Sequence, residues 1–292
     1  MVKQKSSYEK ISPTAKLVAW LRTFTNIPFA KELAEESRSE ETFKELVDDM
    51  GGLIISFTPF FEARYKATDE ILKQHNIKQV LEIASGLSPR CLAMTESPNV
   101  IYVATDLPQI LEQERAIIEK ITAGANIYRP NIHFQTVDAL DRESLLVAAN
   151  YFRPSEPIAI VTEGLLNYLN REEKGIVARN ILELTKRNSG VWITPDVTTK
   201  QTMERILEAN GNLRKVASHI YGITERNMEN NAFADEYDMQ QFFNESGFAI
   251  EEYQHSNTIE SLSSIKLLGI NRENALRMLQ GRKTLILTPQ DK

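Results

Sequence analysis

The chain is 292 residues long, 42% hydrophobic before its 12 glycines are added, and carries 40 acidic against 34 basic residues for a net charge of −6. This length and composition suit a globular chain able to bury a large core, and the acidic balance argues against nucleic acid as a partner. A single cysteine, Cys91, excludes an internal disulfide and any cysteine-rich metal motif. The N-terminal stretch lacks an apolar secretory region and no apolar run reaches the ~18 residues of a membrane span, so a soluble, cytoplasmic protein without a bound metal is expected.

Residues 1–76 are expected to form a helical cap. Ser12-Pro13 is a start signal, an N-cap side chain followed by proline, and Leu17, Val18 and Leu21 supply an apolar face. Phe43, Leu46, Val47 and Met50 keep helical spacing up to Gly51-Gly52, which should end that helix. A third helix is expected over 59–75, with Phe60, Arg64, Ala67 and Ile71 on one stripe. An arginine on an inward stripe either packs its stem and sends its head to water, or pairs with the carboxylate of a bound amino-acid-like group.

From residue 79 strands and helices alternate. Strands are predicted over 79–84, 100–106, 132–138, 158–163, 190–196, 248–254 and 284–288. The middle ones (IAIVT, VWIT) are nearly continuous apolar runs, as parallel strands covered on both faces require. Helices are predicted over 107–123, 141–151, 171–188 and 239–246. The expected fold is an α/β, doubly wound, seven-stranded sheet over 77–292. The polar stretch 198–237 shows no strand pattern and is expected to form a lid, with Tyr221 and Phe233 as aromatics that face either a ligand or the packing of the lid.

Four short motifs fall at the carboxyl ends of successive strands: Ser85-Gly86, Asp106, Asp138-Ala139 and Glu163-Gly164. Open α/β sheets bind ligands in the crevice outside those ends. Asp106 lies 20 residues after Gly86, where a carboxylate can accept from ribose hydroxyls. Only one of the three glycines of the dinucleotide fingerprint is present, which disfavours a pyrophosphate-containing cofactor. S-adenosylmethionine (SAM) fits: ribose to Asp106, adenine to Asp138-Ala139, amino group to Glu163 and carboxylate to Arg64. Asp106 and Asp138 could equally cap the helices that follow them.

The stretches VLEIASGLSPR (80–90), ATDLPQIL (104–111), VDAL (137–140) and VTEGLLNYL (161–169) resemble the leucine carboxyl methyltransferases, a family of class I SAM-dependent enzymes that includes polyketide O-methyltransferase relatives. The resemblance implies a Rossmann-like methyltransferase that yields S-adenosylhomocysteine (SAH). It also implies cofactor contacts from Arg64, Gly86, Asp106, Asp138, Ala139 and Glu163. Ala84, Ser88 and Pro89 stand where the family loop usually has Gly, Asp and Thr, while Arg90 is retained and is expected to brace the loop.

A carboxylate acceptor is ionised at neutral pH and needs no general base, so alignment and water exclusion would suffice. This agrees with four scattered histidines, His75, His133, His219 and His255, of which His133 lies in a predicted strand and is expected to pack in the core, and no catalytic residue is nominated. Tyr168 and Tyr221 are the candidate substrate contacts. The expected acceptor is a small-molecule or peptide carboxylate, or else a hydroxyl, for which no base is evident. Two alternatives are a SAM-binding regulator without turnover and a nicotinamide-dependent oxidoreductase.

Overall fold

The computed structural model describes residues 12–47, 51–154, 156–209 and 228–290. Tyr221 lies outside the described residues. Among the described residues five helices precede the sheet: α1 (Ser12–Arg22), α2 (Ala30–Glu36), α3 (Ser39–Val47), α4 (Gly51–Ile55) and α5 (Thr58–Gln74). Gly51 and Gly52 are themselves helical, within α4, rather than lying beyond a helix end, and Gly51 packs against the Phe43 ring, which a side chain would meet at 3.6 Å. The run of α5, with Pro59 in its first turn, follows the start signal in the sequence.

The seven strands are β1 (Gln79–Ile83), β2 (Ile101–Asp106), β3 (Ile132–Thr136), β4 (Ile158–Thr162), β5 (Val191–Thr194), β6 (Phe248–Gln254) and β7 (Lys283–Pro289). They form one sheet in the order β3-β2-β1-β4-β5-β7-β6. The first five are parallel, and β7 runs antiparallel between β5 and β6. Between the strands lie α6 (Arg90–Met94), α7 (Pro108–Gly124), α8 (Arg142–Ala148), α9 (Arg171–Arg187) and α10 (Lys200–Ala209). Among the described residues no helix is long and apolar enough to cross a membrane.

Alternation along the central strands sorts the core into two layers. Leu81, Ile83, Ile158 and Ile160 pack with Val177, Ile181 and Leu184 of α9 and with Trp192 and Phe243. On the other face Val80, Tyr102, Ala159 and Val161 pack with Ile71 of α5 and with Ile117 and Ile118 of α7. The α9 entrance is fixed by a reciprocal cap between Asn170 and Glu173. Its exit runs so close to β4 that a Cβ on Gly190 would meet the Ile158 carbonyl oxygen at 2.9 Å.

Two details differ from expectation. Strand β3 stops at Thr136, because the Asp138 side chain accepts from the Leu140 amide and turns the chain there. His133 is only partly buried and stacks on Tyr151 with ring centroids 4.6 Å apart, at the sheet edge rather than in the core. The described ends of the 198–237 stretch are joined by a bridge between Thr199 and Phe233. Phe233 is buried against Phe242 and Phe243, so it belongs to the packing and not to the ligand-facing surface.

Candidate functional site

Sheet order reverses between β1 and β4, and a cavity of ≈ 420 Å³ opens above the carboxyl ends of these strands. Arg64, Gly86, Asp106, Asp138, Ala139 and Glu163 all line it, as does Tyr168. Residues following β2 and β3 form one end. The β1 loop, Arg22, Arg64 and Glu163 form the middle. Val197, His255 and Arg282 line the far end, toward β5 and β7, where Phe60 lies against Arg282 and His255 and Phe61 against Phe60; Phe57 and Met203 also line the cavity.

Asp106 ends β2 and is 7% exposed. Its carboxylate accepts from the Gly86 amide at 2.9 Å and from the Leu107 amide at 2.7 Å. Desolvation raises its pKa to about 6 in spite of these two bonds, with the Glu82 charge adding to the rise. Two backbone donors leave room on a carboxylate for two hydroxyl donors, the pattern a ribose diol supplies. Leu107, Ile110, Val137 and Leu140 give the same end an apolar lining suited to a flat base. Asp138 itself is exposed, and the cap of α8 is Asp141, not Asp138.

The β1 loop reaches the cavity through two left-handed residues, Ala84 at φ 56° and Gly86 at φ 57°. Gly86 takes that conformation without cost. Ala84, at the usual glycine position, holds it against its own Cβ, worth about 1–2 kcal/mol. The departure from the family loop is therefore one of strain; the backbone path is the one a glycine would favour.

Glu163 is the electrostatic centre. It accepts from Arg22 Nη2 at 2.8 Å and from Arg90 Nη2 at 3.1 Å, and Arg64 Nη2 lies 3.9 Å away. Burial alone would raise its pKa, but Arg22, Arg90 and Arg64 together more than offset that and bring it to about 2. Arg90 is fully buried beneath the loop, bonded also to Asp69 and Glu82 and stacked 4.2 Å from the Tyr65 centroid. It braces the loop and does not line the cavity. Arg64 donates to Asp196 at 3.1 Å, and Asp196 also accepts from the amides of Gly164, Leu165 and Leu166. The Tyr168 hydroxyl meets Thr14 Oγ1 at 3.2 Å, joining the loop after β4 to α1.

The cofactor candidates singled out in the sequence thus share one cavity, but two of them are already ion-paired within the protein: Glu163 is matched by arginines and Arg64 by Asp196. Arg22 and Asp196 were missed. Arg22 closes α1, 141 positions before Glu163, and no local pattern marks it. Asp196 could have been suspected as the acid after β5. The donor set suits SAM: an acid for hydroxyls, an acid for an ammonium and clustered guanidiniums for a carboxylate, with the Nε atoms of Arg22 and Arg64 buried and unpartnered. Among the described residues no cluster of His, Cys, Asp or Glu could hold a metal ion.

Comparison with known proteins points the same way. A provisionally named S-adenosyl-L-methionine-dependent methyltransferase of Mycolicibacterium smegmatis is 28% identical over 142 residues, 48% of this chain and 47% of that one. A Mycobacterium tuberculosis protein of the same description is 26% identical over 175 residues, 56% of this chain and 53% of its own. The chain therefore spans about half the length of the curated relatives it matches. The fold is shared with a DUF574 family protein of Streptomyces avermitilis (TM-score 0.57, 14% identity, 95% of this chain and 97% of that one). A provisionally named methyltransferase of Thermobifida fusca is also similar (TM-score 0.52, 15% identity, 95% and 94%). The leucine carboxyl methyltransferase family matches residues 18–182, more than half of the sequence, and the chain belongs to that family.

Proposed function

We propose that the protein is a SAM-dependent O-methyltransferase whose acceptor is a carboxylate. When bound, SAM supplies an electrophilic methyl group; attack on it by a carboxylate oxygen would form the O–CH3 bond and break the S–CH3 bond, the electron pair going to sulfur, to leave SAH and a methyl ester. In this reading Asp106 takes the ribose hydroxyls, Asp138 and Ala139 flank the adenine, and Glu163 takes the α-amino group. Arg64 and Arg22 take the carboxylate, with Gly86 giving the nucleoside close approach. Residues 1–76 act as a cap over 77–292, since α1 and α5 furnish Leu17, Arg22, Phe60 and Arg64 of the cavity wall.

The observation that carries the carboxylate is the absence of a competent base among the described residues at the far end of the cavity. His255 is 1% exposed, and desolvation, then the charges of Arg64 and Arg282, lower its pKa to about 3. An imidazole so weakly basic cannot take a hydroxyl proton efficiently. Lys283 is tied to Glu236 at 2.5 Å and Glu252 at 2.7 Å. A carboxylate needs no proton removed.

The test is the chemistry of the product. With methyl-tritiated SAM and an extract of the source cells, transferred label should be released as volatile methanol in mild alkali, as methyl esters are. Label stable to alkali would mean an ether or amine product and would contradict the carboxylate reading. Bound SAM with no transferred label would favour a regulator without turnover.

A further inference from the structure

Among the described residues, the far end of the cavity holds a positive charge with no acid against it. Arg282 immediately precedes β7, and because β7 is antiparallel this places it at the same edge as the carboxyl ends of β1 to β5. Its Nε donates to the Met278 carbonyl at 3.0 Å, and its guanidinium carbon lies 3.9 Å from the Phe60 ring centroid. Among the described residues no carboxylate forms an ion pair with it. The other basic groups lining the cavity are matched: Arg22 by Glu163, Arg64 by Asp196, and Lys283 by Glu236 and Glu252. Desolvation in the first place, and then the Arg64 charge, lower the Arg282 pKa to about 10, so it stays charged at neutral pH in surroundings that favour an added anion.

Position separates this charge from the cofactor groups. In the order β3-β2-β1-β4-β5-β7-β6, Asp106 ends β2 and Arg282 directly precedes β7, four strand steps away. At ~4.8 Å per step this is about 19 Å along the sheet. Glu163, at the end of β4, lies between them. Beside Arg282 is His255, buried, with Nε2 3.0 Å from Thr284 Oγ1 and Nδ1 without a partner. Phe57, Phe60 and Phe61 form an apolar wall on the same side.

We propose that Arg282 anchors the acceptor through a carboxylate, and that the acceptor is a carboxylic acid whose apolar body packs on Phe57, Phe60 and Phe61. This deepens the methyltransferase reading and rests on it. A guanidinium held over an aromatic ring is restrained in position and presents a planar fork that matches a carboxylate. One oxygen can be held while the other attacks: an O–CH3 bond forms, the S–CH3 bond breaks with its electron pair going to sulfur, and no proton moves. The ester has no charge left for Arg282, which favours its release.

The test uses the protein saturated with SAH and titrated calorimetrically with hexanoate, phenylacetate and 4-phenylbutyrate, each beside its methyl ester. At least one acid should bind ten times more tightly than its ester or better. Arg282→Gln should remove that preference while SAH affinity stays unchanged, which also shows that the variant is folded. Arg282→Lys keeps the charge but not the fork and should fall between; it serves as the test if the Gln variant fails to hold SAH. Acids that bind no better than their esters, no binding by any acid, or acid binding indifferent to both substitutions would overturn the proposal. Failure of the unaltered protein to bind SAH would instead overturn the cofactor reading beneath it.

Discussion

Glu163→Gln is expected to lower folding stability by about 3 kcal/mol and to weaken SAH binding by roughly tenfold or more. The first figure follows from the charge arrangement. Three guanidiniums hold the carboxylate near pKa 2 against an ordinary value of 4.5, and each unit is worth about 1.4 kcal/mol. Glutamine keeps the shape and one acceptor oxygen but leaves Arg22, Arg64 and Arg90 with less opposing charge in a buried place. The sign with pH follows: a depressed acid contributes stability that is fully present above pH 4.5 and lost as pH falls through about 2. Urea titrations without ligand should therefore show the gap between parent and variant closing over that window. A gap below about 1 kcal/mol at neutral pH, or one that does not depend on acid, would mean that the arginines do not rely on Glu163.

Asp106→Ala should weaken SAH binding by ~1–3 kcal/mol through lost charged hydrogen bonds, and it should also change the pH profile. Burial pushes the free carboxyl up to about 6, and hydroxyl donors prefer it ionised. Affinity in the parent should be level above neutrality and fall as pH drops through about 6, because protons then compete with the ligand. Glu163 stays ionised throughout this window. Glu114, a buried acid bonded to Ser85 at 2.5 Å, and Glu82 lie close enough to influence Asp106, so the comparison with the variant is what isolates it. A profile of the same shape in Asp106→Ala would remove Asp106 from the ribose role.

The strands were legible in the sequence because most of them are buried on both faces, which leaves an uninterrupted apolar run as the signature. The residues at strand tips were legible for a related reason: Asp106 and Glu163 are acids placed directly after segments too apolar to be exposed. What escaped depends on distance along the chain. Arg22 looks like an ordinary basic residue in the last turn of a helix, and only packing of α1 over the β4 loop brings it to Glu163. Arg282 gains its significance from the insertion of β7 beside β5, a step of topology that no neighbouring residue announces. Gly51-Gly52 misled because glycine commonly follows helices, whereas here the pair is itself helical, within α4.

Convergence of these side chains on a single nucleoside is tested most directly by a crystal structure of the complex with SAH. The predicted result is SAH in the cavity above β1 and β4. Its ribose hydroxyls should lie within hydrogen-bonding distance of Asp106, its amino group at Glu163, and its sulfur turned toward the end where Arg282 stands. SAH bound elsewhere, or in the cavity with its ribose away from Asp106, would contradict it.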